Sequence, residues 1–212
     1  FSSFSSSSTF FLLFFLTLRE AVLFFSELDP VLNTAVSTGN YGPGAAMTST
    51  LNFNPQYFLV NGQPYPAAAP LVSGTPAVGD ATLLRMFNTS LQSLVPMVLG
   101  EHLVLAAEDG NLYPHFFTQY TVTLPAGKTI DAVFEPVRGG SYPIIERGLN
   151  LTNAAAGPGG QLLALDVAAE PGQPVAVADA YFLDEDTSLS VAAGTGVLPN
   201  DDDGGPPNGG AS

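Results

Sequence analysis

Two short acidic runs, Asp184-Glu185-Asp186 and Asp201-Asp202-Asp203, are the densest clusters of chemistry-bearing side chains in the sequence. Carboxylates are hard oxygen ligands of the kind Ca²⁺ takes, so these six residues are the metal-ligating candidates, for calcium, and no cofactor is otherwise assigned. They do not follow the ligand order of an EF-hand loop, and a solvated acidic linker is the competing explanation. Glu101, His102 and His115 could move a proton or hold a lone metal ion. The two histidines stand thirteen positions apart without a neighbouring partner, a pattern better suited to surface or hydrogen-bonded histidines than to a catalytic pair.

Other site chemistries are excluded by what is missing. The sequence contains no cysteine, which removes disulfides, thiolate metal sites, a thiol nucleophile and a type 1 copper centre, whose copper needs a Cys ligand. No Gly-x-Ser-x-Gly elbow and no phosphate-cradling glycine loop occurs, so hydrolase and nucleotide-binding chemistry find no anchor. No catalytic residue is assigned, and the chain is expected not to be an enzyme.

The 212 residues carry five basic and nineteen acidic side chains, a formal charge of -14. Such a surface repels nucleic acid and anionic membranes and attracts cations. Hydrophobic residues make up 46% and charged residues 11%, and the length suffices to bury a core. Lack of cysteine fits a bacterial surface or extracellular protein, which is the expected location.

The elements that must position these groups read as strands. Short β-branched and aromatic runs closed by Gly, Pro, Asn or Asp recur between Gly79 and Leu149, the pattern of an antiparallel sandwich. Strands are predicted at 20–28, 57–60, 81–87, 119–124, 130–135 and 161–167. The pair Asp29-Pro30 signals a helix cap and first turn, with the helix running to Val36. Asn61-Gly62 and Pro125-Ala126-Gly127-Lys128 read as turns.

The two ends differ from this core. The run Phe10, Phe11, Leu12, Leu13, Phe14, Phe15, Leu16 is too apolar to stand in water and too short to span a membrane, and it lacks the basic flank of a signal peptide. It must be covered, either by its own sheet or by the open edge of a neighbouring copy. Residues 169–212 carry no lysine or arginine and form a separate β segment. In it Val175 and Val177, then Leu189 and Val191, alternate as a buried strand face would. The domain division expected is an N-terminal strand extension at 1–18, a sandwich at 19–168 and an incomplete segment at 169–212, with further domains expected beyond Ser212.

Several stretches resemble the second cupredoxin domain of bacterial multicopper oxidases. They are Glu27-Leu28-Asp29-Pro30, Tyr57 through Pro66, Gly79-Asp80, Leu84 through Asn88, Ala107 through Asn111, Leu124 through Thr129, Asp131, Tyr142-Pro143 and Leu149 through Asn153. The resemblance implies an all-β, Greek-key cupredoxin-like β-sandwich with an extended N-terminal strand and a C-terminal β tail. It does not bring copper, because the His-x-His pairs and Cys-bearing motif of that family have no match, and Leu94 through His102 stands where copper-binding relatives have a His-rich segment. The stretches Pro174 through Val191 and Gly196 through Asp201 are similar to the opening of bacterial cadherin-like or Ig-like adhesin repeats.

From these features the expected function is a non-catalytic extracellular structural or adhesive module, a homo-polymer subunit joined by strands exchanged between copies. The alternative is the middle domain of a multicopper oxidase whose copper sites lie outside this chain.

Overall fold

The computed structural model describes residues 19–72 and 74–169, together with 179, 181, 186, 188–192 and 196. Its first strand, β1 (Arg19–Leu28), turns Ala21, Leu23 and Phe25 inward, all fully buried, as period-two alternation requires. Asp29 stops the strand and starts the helix α1 (Pro30–Ser37). Its carboxylate accepts from Val31 N at 2.8 Å and Leu32 N at 3.3 Å, and its second oxygen accepts from Asn54 N at 2.9 Å, tying the helix start to a distant loop.

These bonds, led by the one from Asn54, hold the Asp29 carboxyl below the usual aspartate range. A depressed carboxyl stabilises the fold above its unfolded-state value and loses that contribution as pH falls through the folded-state value. Asp29→Ala is therefore expected to lower stability by about 1–2 kcal/mol near neutral pH. Urea titrations at neutral and acid pH should show the gap between variant and parent closing in acid.

The remaining strands are β2 (Tyr57–Val60), β3 (Leu71–Val72), β4 (Thr82–Asn88), β5 (Pro96–Val98), β6 (Leu103–Glu108), β7 (Asn111–Gln119), β8 (Thr129–Phe134), β9 (Gly140–Glu146) and β10 (Leu162–Val167). They form two sheets. The larger has the order β2-β1-β4-β8-β6-β7, with β3 also on β1, and the smaller the order β10-β9-β5. The β1–β4 pairing is parallel and the other pairings are antiparallel, so β1 reaches β4 by a crossover. Between β2 and the loop that follows, Asn61 and Gly62 adopt φ of 52° and 77°, the left-handed pair that an Asn-Gly turn supplies at low cost.

One hydrophobic core lies between the sheets. Leu84, Met86, Ile130, Ala132 and Phe134 of the large sheet face Tyr142, Ile144, Leu163 and Leu165 of the small one. Phe134 and Tyr142 meet edge to face at 5.0 Å between ring centroids and join the layers.

The strands expected at 20–28, 57–60, 81–87, 130–135 and 161–167 are present within one or two residues, and α1 stands where Asp29-Pro30 places it. The strand expected at 119–124 is not. The β7 strand ends at Gln119, and residues 120–124 form an extended connection joined to the β4–β5 loop by reciprocal Leu94 and Leu124 backbone bonds of 2.9 and 2.8 Å. Val122 and Leu124 are both fully buried, so the alternation is real, but it makes a single bridge and no ladder. Strands β5, β6, β7 and β9 were not expected as such.

Among the described residues beyond Ala169 no strand occurs: Asp186 sits in a turn at φ 63°, and Leu189 and Val191 are 50% and 37% exposed. No helix among the described residues is long and apolar enough to cross a membrane.

Candidate functional site

At one end of the sandwich the inward-facing rows of four strands stop being apolar. In β1 the row Ala21, Leu23, Phe25 continues to Glu27, and in β4 the row Leu84, Met86 continues to Asn88. In β9, Tyr142 and Ile144 lead to Glu146, and Gln161 precedes Leu163 and Leu165 of β10. Period two thus stacks four polar residues into one layer that caps the core. Asn88, Glu146 and Gln161 are 2%, 3% and 0% exposed, so these three side chains make their hydrogen bonds from buried positions.

Most of the layer is satisfied. Glu146 accepts from Val95 N at 2.9 Å through Oε1, and from Gly148 N at 2.6 Å and Asn150 Nδ2 at 3.3 Å through Oε2. Asn88 donates through Nδ2 to the carbonyls of Gln92 and Leu124, at 2.7 and 2.8 Å. Its Oδ1 accepts from the Ser90 N–H at 2.9 Å and the Ser90 hydroxyl at 2.6 Å. Gln161 donates through Nε2 to Ser26 O at 3.1 Å, stitching the small sheet to the large one. The residue before it, Gly160, is at φ 84°, and a Cβ there would collide with the Asn150 carbonyl.

Three oxygens are left over: both of Glu27 and Oε1 of Gln161 are buried without a hydrogen-bond partner. Burial raises the Glu27 carboxyl above the usual glutamate range; the Ser90 hydroxyl opposes this, Glu146 adds to it and the Gln92 N–H opposes it. The single Ser90 proton is already committed to Asn88, so its pull on Glu27 is that of a dipole rather than of a hydrogen bond. Neither Glu27 nor Glu146 stood out in the sequence as a site residue.

The histidines are not brought together. His102, just ahead of β6, is exposed and meets Tyr120 edge to face at 4.2 Å. His115 is exposed in mid-β7, five residues from Tyr120 along the chain, which places it roughly 17 Å from His102. Among the described residues no three of His, Cys, Asp and Glu gather as a metal-binding group.

The other cations serve the scaffold. Arg19 Nε lies 2.9 Å from Asp80 Oδ2 and Arg85 Nε lies 2.8 Å from Glu20 Oε1. Lys128 reaches Asp109 Oδ2 at 2.6 Å and Glu108 Oε1 at 2.8 Å, and these bonds hold both carboxyls below their usual range. Tyr113 also donates to Glu108, at 3.0 Å, so the network pins the β6–β7 turn to the start of β8. Two surface hollows lie elsewhere, one lined by Val31, Ala35 and Met47 and one by Glu20, Val22 and Leu71. Neither opens on Glu27 or His102.

Of the acidic candidates only Asp186 is described; Asp184, Glu185, Asp201, Asp202 and Asp203 lie outside the described residues. So do Phe10 through Leu16, Val175 and Val177 among the assembly candidates.

The fold is similar to that of the solved Blue Copper Oxidase from Nitrosomonas europaea, with TM-score 0.55 and 17% identity over 71% of this chain and 44% of that one. It is similar to the same degree to Multicopper Oxidase mgLAC, again with TM-score 0.55, 17% identity and the same 71% and 44% coverage. The chain thus spans less than half the length of these two structures. The likeness shows a cupredoxin-like fold, in agreement with the sandwich described above. No family model matches the chain, and no curated protein matches it in sequence.

Proposed function

We propose that this chain is a copper-free structural sandwich of a multicopper-oxidase-like protein, with any copper held outside these 212 residues. One observation carries this: the chain holds no donor set for a blue copper site. A blue copper site needs a cysteine thiolate beside two imidazoles, and this chain has no cysteine and two histidines roughly 17 Å apart. The buried layer of Glu27, Asn88, Glu146 and Gln161 meets neither surface hollow described, so no substrate reaches its carboxyls and it serves the fold rather than turnover. The paired charges and the single apolar core fit the same role, a rigid body against which neighbouring parts can pack.

An oxidation assay tests the proposal. The purified chain, supplied with Cu²⁺ and a phenolic substrate under air, is expected to oxidise it no faster than free Cu²⁺ does. Turnover above that level, abolished by His102→Ala or His115→Ala, would overturn the structural role.

A further inference from the structure

The capping layer leaves an arithmetic problem in its hydrogen bonds. Glu27 Oε1, Glu27 Oε2 and Gln161 Oε1 are three buried acceptors without a donor, and an orphaned buried acceptor destabilises the fold. Of the neighbouring donors, Ser90 gives its proton to Asn88 and Gln161 Nε2 is held on Ser26 O, which leaves the Gln92 N–H facing Glu27 without a hydrogen bond to it. The bond to Ser26 fixes the Gln161 amide beside the residue preceding Glu27. The Val95, Gly148 and Asn150 donors all serve Glu146.

We propose that Glu27 is held as a neutral carboxylic acid whose O–H donates to Gln161 Oε1, and that ionising it loosens this end of the sandwich. One proton on Glu27 turns an acceptor into a donor and supplies the amide oxygen with its partner, removing two of the three orphans at once.

The groups packed around Glu27 agree with a neutral acid. Phe58 of β2 is its cross-strand neighbour, the Ser90 hydroxyl and the Gln92 N–H face it from the segment after β4, and the Gln161 amide is held at the residue before it; all are uncharged. From β9 comes Glu146, which accepts from three donors. Burial and the Glu146 charge both favour the proton on Glu27, so its carboxyl titrates above the usual glutamate range. A raised carboxyl stabilises the fold below its unfolded-state value and loses that contribution as pH rises through the folded-state value.

The test is a thermal melt of the full chain and of Glu27→Gln across acid to mildly alkaline pH. It is paired with a ¹³C carboxyl titration of the parent, which reads Glu27 without any substitution. The amide introduced by Glu27→Gln keeps an N–H donor for Gln161 and cannot ionise. The expected result is a parent melting temperature that falls with rising pH, a variant that lacks this component and melts several degrees higher at mildly alkaline pH, and a Glu27 resonance titrating above the ordinary glutamate range. A Glu27 resonance titrating in the ordinary range would overturn the proposal, as would a variant that follows the parent at every pH. A calcium-dependent rise in the parent's melting temperature that Glu27→Gln abolishes would overturn it too, because a cation would then stand where the proton is placed.

Discussion

Glu146→Ala is expected to destabilise the chain by about 3–5 kcal/mol, because one buried side chain satisfies three donors. Without it the Val95 N–H, the Gly148 N–H and the Asn150 amide lose their acceptor together. The first two belong to the backbone and cannot rotate to find another acceptor. Glu146→Gln should fall between, since its oxygen can serve Val95 while its NH₂ group meets donors at Gly148 and Asn150. Urea denaturation of the three proteins gives the order directly. A loss below about 1 kcal/mol for the alanine variant would mean that water reaches these donors and that the layer is not sealed.

The second large effect is expected at Phe134, fully buried at the end of β8 and in edge-to-face contact with Tyr142 of the opposite sheet. Phe134→Ala removes the ring that spans the two layers and should cost about 3–5 kcal/mol, with the cavity it leaves setting the place within that range. Phe134→Leu keeps most of the volume and loses the ring contact, which is worth about 0.5–1.5 kcal/mol beyond buried area. The denaturant slope should stay at the parent's value in both variants, since the same surface is exposed on unfolding. An alanine variant as stable as the leucine variant would show that the sheets close over the gap.

Why some of this was legible in the sequence and some not follows from the strands themselves. Strands β1, β4, β8 and β10 are apolar runs rich in leucine, β-branched and aromatic residues that end at turn residues, so composition and punctuation find them. The β7 strand is at the sheet edge, contains Pro114, and exposes most of its residues on both faces, so it has no buried row to reveal it. The β9 strand holds Pro143 at its centre, ordinarily a sign against an inner strand; here the missing N–H is tolerated and the Pro143 carbonyl still accepts from Leu99 N at 2.9 Å. Residues 120–124 mislead in the opposite direction, since Val122 and Leu124 alternate into the core from a segment that has no ladder.

The capping layer was hidden for a related reason. Its signal is a polar residue ending an apolar row in each of four strands, and Glu146 cannot be placed in such a row until β9 is recognised. Glu27 and Asn88 lay inside stretches that resemble a known fold, where they read as family texture rather than as the lining of one site. Local sequence also points to His102 and His115, whose chemistry is conspicuous by residue type, yet the β6–β7 register sets them far apart. Residue type alone finds groups able to do chemistry; only the register tells which of them meet.

The copper content of the purified chain tests the central claim most directly. After incubation with excess Cu²⁺ and exhaustive dialysis against a weak competing ligand, metal analysis is predicted to find only trace copper, and the visible spectrum to show no blue charge-transfer band. Copper retained in a fixed ratio to protein, and lost on His102→Ala or His115→Ala, would contradict a copper-free structural sandwich.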